Sequence, residues 1–362
     1  MNFDEVVKEQ MKTILNQEQI ESLEDYADQL SGGISDHFTL ESILDATLSG
    51  KSIFQSQDII DSLKTLLLYE VKGALVIGVE ILTVCIIIGL LKNLSGSFGK
   101  KGTAEIASLI CCIVIVGLAM TSFQDIYEMT LDAVRTITYT MEILLPVLIA
   151  ILISMGQVAS GTIMSPLLLT AVTIFQSIIK NVVLPAIFLS TVFSLLNCLT
   201  EKDYVNQLSK FLRQASLFVT GIIITLMTGI IAIQGLIAKT SDSLIIGTAK
   251  YSLDAFIPIV GGFAADTVEL FIKCMGSIKS VVGVFGILMI LCLILTPIVK
   301  IMVISLIYKV TALLIEPVAS RKLAAGIADV GSCLIIMGSV LFFASLLFII
   351  FITSIISLGG SA

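Results

Sequence analysis

Glu80, in the run VIGVEILTV, is a charged side chain set among apolar residues, and Lys180, Asn197 and Lys300 interrupt later apolar runs. Gln157, Gln176, Asn181, Gln234 and Lys309 add polar capacity to the same segments. A charge at the centre of a bilayer costs about 2.5–3.5 kcal/mol by insertion measurements, so such groups need a reason. One reading is transport chemistry, with Glu80 as a proton or cation site and Lys180 or Lys300 as its partner. The other is packing: hydrogen bonds between helices, snorkelling to the interface, or contacts with other subunits. The packing reading is the stronger for each residue taken singly.

Enzyme chemistry finds no foothold. His37 is the only histidine, which removes paired-His metal motifs. GKKGT (99–103) lacks the spacing of a phosphate loop and reads as a basic loop, and there is no G-x-S-x-G and no buried Asp pair. The seven cysteines (85, 111, 112, 198, 274, 292, 333) contain no C-x-x-C pair and sit in or beside apolar segments, as small hydrophobes do. The chain therefore reads as non-enzymatic, with no cofactor and no metal.

The elements that carry these residues are membrane helices. Of 362 residues, 56% are hydrophobic and 14% charged, and Leu217–Ala238 and Cys333–Ala362 run for 22 and 30 residues without a charge. A span needs about 20 such residues. Residues 1–70 hold fourteen of the 28 acids against four Lys, a net charge of −10, while the remainder carries +3. No clustered basic face suited to nucleic acid is present.

The reading is an all-α, polytopic helical membrane protein with internal parallel repeats, having about 6–8 membrane helices including re-entrant or broken segments. Residues 1–70 form an acidic amphipathic helical region, 71–130 a first membrane hairpin, and 131–240 and 241–362 two repeat units. The spans expected are 71–91, 104–124, parts of 141–199, 215–238, 281–315 and 333–358. Keeping the Lys/Arg loops 92–103, 200–214 and 316–330 inside places 125–140, 240–278, the N-terminal region and the C-terminus outside. MNFDEVVKEQ has neither a basic n-region nor an apolar h-region. An exported N-terminus then requires an upstream start, trimming, or export by span 71–91.

A shift of 112 residues aligns TITYTMEILLPVL (136–148) with TAKYSLDAFIPIV (248–260), matching Tyr139 to Tyr251, Glu142 to Asp254 and Pro146 to Pro258. Pro185 and Pro297 keep the same offset, and RQASLFVTGIII (213–224) answers ADVGSCLIIMGS (328–339). A fainter copy is EIASLICCIVIV (105–116), preceded by LLKNL (90–94) as LLNCL (195–199) precedes the second loop. In the later arm, Pro258 and Gly261-Gly262 are expected to break a helix, and Asp266, Glu269 and Lys273 follow on one face. Broken helices at membrane depth must line a wet cavity or lie buried in protein. Segments 141–160 and 251–275 are read as re-entrant hairpins, the alternative being amphipathic helices on the outer surface. Tyr251, Asp254, Pro258, Gly261, Gly262, Asp266 and Glu269 are the candidates for partner contact or lumen lining, with Tyr139, Glu142 and Pro146 as counterparts.

The stretch KTSDSLIIGTAKYSLDAFIPIVGG (239–262), with its K-T-S-D-S start and F-I-P-I-V-G-G end, resembles the stage III sporulation protein AE family. The similarity extends over most of the chain. It implies a role in endospore formation, as a multi-pass protein of the mother-cell membrane around the forespore. The implied partners are other membrane proteins of a channel-like, secretion-like assembly that supports forespore development, besides the bilayer itself and further copies of the chain. The resemblance brings no catalytic residues. A transporter for a small solute or ions is the alternative.

Overall fold

The computed structural model describes residues 56–98, 101–199, 205–256, 261–317 and 321–358. The acidic region up to residue 55, and Pro258, lie outside the described residues. The rest is helix: α1 (Ser56–Phe98), α2 (Lys101–Ser154), α3 (Val158–Ile178), a π-helical turn (Ile179–Val183), α4 (Leu184–Leu199), α5 (Asn206–Phe256), α6 (Gly261–Ile315) and α7 (Arg321–Ser357). Six segments of these helices are long and apolar enough, by length and composition, to cross a membrane. With 54, 51 and 55 residues, α2, α5 and α6 are each about 80 Å long, more than twice a 30 Å hydrocarbon core.

Several expected boundaries dissolve into these rods. Residues 56–70 continue into the first span within α1. Segment 125–140, expected outside the membrane, is the middle of α2, which runs unbroken through Pro146. The proline removes one donor, leaving the Glu142 carbonyl without its intrahelical partner, but long flanking helix and buried packing hold the rod together. The chain reverses at Met155–Gln157, where Gly156 has φ 82°, a left-handed conformation open to glycine at no steric cost. The extra hairpin expected over 141–160 is thus the end of α2, its turn and the start of α3. Residues 251–256 end α5 and 261–275 begin α6, with Gly261 and Gly262 in its first turn and residues 257–260 outside the described residues.

Pro185 leaves a different mark. It cannot donate to the Asn181 carbonyl, and its ring crowds that oxygen. The preceding turn widens, and the Leu184 N–H donates to Ile179 O, five residues back. The rod α3–π–α4 therefore continues past the proline.

α6 and α7 form the central hairpin, with α1 and α2 against α6, and α4 and α5 on the α7 side. Small residues let the central pair approach closely. A Cβ on Gly331 would lie 3.0 Å from the Ser305 carbonyl, and one on Gly338 3.0 Å from Ile301 Cγ2. Ser305 Oγ also donates to Gly331 O at 2.7 Å. At the far end of this hairpin Lys279, 2% exposed, donates to Leu358 O at the end of α7.

Two levels along the bundle can be read from such contacts. At one, Tyr308 Oη reaches Ala119 O, Tyr308 packs on Gly331, and Arg213 meets Asp329. At the other, Gly286 lies between Leu144 and Ile352, and Gly235 faces Ser354. Between these levels run about 20–25 residues of α2, α5, α6 and α7, about 35 Å of helix. Phe123, Phe175, Phe285, Phe348 and Phe351 are fully buried along this length, with Phe175 and Phe348 edge to face at 5.9 Å.

Candidate functional site

Where α4, α5 and α7 converge, short polar side chains replace the aliphatic core. Ser190 Oγ donates to Ser209 O and Ser209 Oγ returns the bond to Ser190 O, both at 2.8 Å. One turn along α4, Ser194 Oγ donates to Asp329 Oδ2 at 2.8 Å. Arg213 Nη1 donates to Asp329 Oδ1 at 3.0 Å, with side-chain exposures of 16% and 27%. The other guanidinium nitrogens, Nε and Nη2, are buried without a hydrogen-bonded oxygen. Cys333 Sγ lies 3.8 Å from Ser190 Oγ, and Cys198 Sγ donates to Ser194 O and Lys322 O. The hydroxyls are engaged with backbone or carboxylate, so the cluster acts as a three-helix clamp. Among the described residues no group of three or more His, Cys, Asp or Glu is placed to hold a metal.

The clamp was not foreseen in the sequence, although its two charges were in view. Arg213 opens RQASLFVTGIII and Asp329 lies in ADVGSCLIIMGS, the two segments aligned as counterparts. α5 and α7 run in parallel, and these openings meet across them. Lys279 was also missed, because a lysine two residues after a serine in GSIKSVV carries no signal of burial.

A second polar feature lies on α2. Gln124, Asp125, Glu128, Asp132, Arg135, Tyr139 and Glu142 are all exposed, and their alternating three- and four-residue steps put them on one face. Pro146 extends the same face. The opposite face is core: Phe123, Ile126, Val134, Ile137, Met141 and Leu145 are buried. Within the stripe, Arg135 pairs with Asp132 at 2.9 Å and Gln124 donates to Glu128 at 3.1 Å. The stripe spans about 27 Å of helix and falls between the two levels defined above. At the same depth α5 exposes Leu217, Phe218, Ile222, Leu226 and Ile233. Two outer helices thus present opposite surfaces to their surroundings over one stretch of the bundle.

The intramembrane candidates are scattered. Glu80 is exposed on α1, and Lys180 is half-buried in the π-helical turn that Pro185 imposes. Asn197 is half-buried near the end of α4 and Lys300 half-buried on α6. Among the described residues Glu80 forms no ion pair with Lys180 or Lys300. Tyr251 and Asp254 fall in the last turns of α5, and Gly261, Gly262, Asp266 and Glu269 in the first turns of α6, with Pro258 outside the described residues.

Comparison with known proteins gives this architecture a family. The model of stage III sporulation protein AE matches residues 38–359. The stage III sporulation protein AE of Bacillus subtilis (strain 168) is 29% identical over 316 residues, covering 86% of this chain and 78% of that protein. No solved structure is matched. With nearly the whole chain, from ahead of α1 to the end of α7, inside that match, it belongs to the stage III sporulation protein AE family.

Proposed function

We propose that the protein is a multi-pass membrane component of the channel-like assembly between mother cell and forespore, residing in the mother-cell membrane around the forespore and acting by binding partner proteins. Its six apolar segments support the membrane placement and its family supports the sporulation role. The observation that carries the assembly reading is the exposed polar face of α2. A stripe with four carboxylates and an arginine, level with the aliphatic face of α5, does not fit against lipid. It needs the polar surface of another protein or a water-filled path bounded by one. Glu80, exposed on α1, is a further polar group of this kind. The parallel repeats expected from the sequence are consistent with this reading, because the openings of the aligned segments 213–224 and 328–339 meet through Arg213 and Asp329.

The test is made in a spore-forming host that depends on this protein. Asp125→Asn, Glu128→Gln, Asp132→Asn and Arg135→Gln are combined, and a photo-crosslinker is placed at 128 or 139 in an otherwise unchanged chain. The combined variant should accumulate normally in the membrane yet fail to support forespore development, and the crosslinker should capture another sporulation membrane protein. Normal spore yield from the neutralised stripe, with crosslinks only to lipid, refutes the assembly reading. Solute uptake into vesicles by the purified protein, abolished by Glu80→Gln, would favour transport instead.

A further inference from the structure

At the end of the bundle marked by the Arg213–Asp329 clamp, α6 and α7 line a groove of about 370 Å³. That volume lies within the about 300–1,000 Å³ usual for small-molecule sites. Its floor is small and apolar, with Ala312, Ala324, Ala325 and Ala328 beside Leu313. Its polar wall is Lys309 from α6, with Arg321 and Ser332 from α7 and one acid, Glu316. Neither cation forms an ion pair among the described residues. The Lys309 stem is laid against α7 at Gly331, where a Cβ would come within 3.1 Å of its Cγ. Arg321 opens α7, so the positive end of a helix dipole adds to the same field.

The location selects the ligand. Both flanking spans end here, the fifth at Ile315 and the sixth beginning at Arg321, which puts Arg321 at headgroup depth and Lys309 about 9 Å further in, with the alanine floor between them. A basic pocket between helices at that depth fits an anionic headgroup seated over the alanines between the two cations. We infer that the α6–α7 groove binds an anionic phospholipid, its phosphate held by Lys309 and Arg321. The inference rests on the membrane reading above. Glu316 opposes the ligand and sets a ceiling on its affinity.

The experiment uses the full chain, purified in mild detergent from membranes, with co-purified lipid quantified by mass spectrometry after exchange against phosphatidylglycerol, phosphatidylcholine or inorganic phosphate. Wild type should retain phosphatidylglycerol over phosphatidylcholine. Lys309→Gln and Arg321→Gln should each lower that retention about fivefold, and together about 25-fold. Glu316→Gln should raise it, and Lys210→Gln, an exposed lysine outside the groove, should leave it within about twofold. Equal retention by the double variant and wild type, or equal retention of phosphatidylcholine, overturns the assignment. Displacement by inorganic phosphate as effective as by phosphatidylglycerol makes it a free-phosphate site and also overturns it. Release of the protein from membranes by alkaline carbonate would overturn the membrane reading as well. Loss of lipid selectivity in a protein that stays in the membrane overturns the groove alone.

Discussion

Removing Asp329 should expose how much the three-helix clamp contributes. The carboxylate accepts from Arg213 Nη1 at 3.0 Å and from Ser194 Oγ at 2.8 Å. Because Nε and Nη2 of Arg213 have no hydrogen-bonded oxygen, Asp329→Ala leaves that guanidinium with no ion-pair partner among the described residues. Breaking a fully buried pair costs about 3–5 kcal/mol. The side chains here are 16% and 27% exposed, so water offsets part of the penalty and about 2–3 kcal/mol is expected. Asp329→Asn keeps the shape and one acceptor and should cost about half as much. Arg213→Met alone leaves Asp329 with Ser194 only and should cost about 2 kcal/mol. In the double variant Arg213→Met/Asp329→Ala the losses should fall short of their sum by about 2 kcal/mol. The measurement is unfolding of the full chain in mixed micelles, followed by a thiol-reactive dye, since Cys85, Cys274, Cys292 and Cys333 are free and buried. Additivity within about 0.5 kcal/mol would mean that the two charges do not support each other and would refute the clamp.

Gly326 faces Cys198 Sγ so closely that a methyl group would overlap the sulfur. Gly326→Ala should therefore cost about 1–3 kcal/mol in the same assay. Cys198→Ala should restore most of it, because the Cβ of residue 198 lies 3.7 Å from the added methyl. A double variant no more stable than Gly326→Ala would show that the helices part for another reason. Gly156→Ala, at φ 82°, should cost about 1–2 kcal/mol through backbone strain, with Gly156→Asn intermediate. Equal stability of the alanine variant and wild type would mean that the turn relaxes to another conformation.

Composition made the helices legible and left their junctions obscure. Leu217–Ala238 and Cys333–Ala362 are uncharged for longer than a bilayer is thick; the first falls inside a single helix, and the second lies in α7 as far as Ser357. The ends were harder, because a proline has two outcomes that sequence alone does not separate. Pro146 sits inside α2 with its helix intact, while Pro185 is accommodated by a π-helical turn. Asp125, Glu128 and Asp132 fall within 125–140, which the Lys/Arg loops placed outside the spans. They occupy one exposed face of a helix whose other face is buried, a pattern visible once three- and four-residue spacing is read. Lys279 and the Arg213–Asp329 pair depend on tertiary proximity across 79 and 116 residues. Local sequence carries no record of such a partner.

α5 begins beside the clamp and continues without a proline to Phe256. From Arg213 to Phe256 it is a lever about 65 Å long. A tilt of about 5° at the clamped end would move the far end by about 5 Å, with no hinge in between to absorb it. Whatever engages the bundle near Asp329 would therefore be felt near Tyr251 and Asp254 as displacement. One rod would carry a mechanical signal from one side of the bilayer to the other.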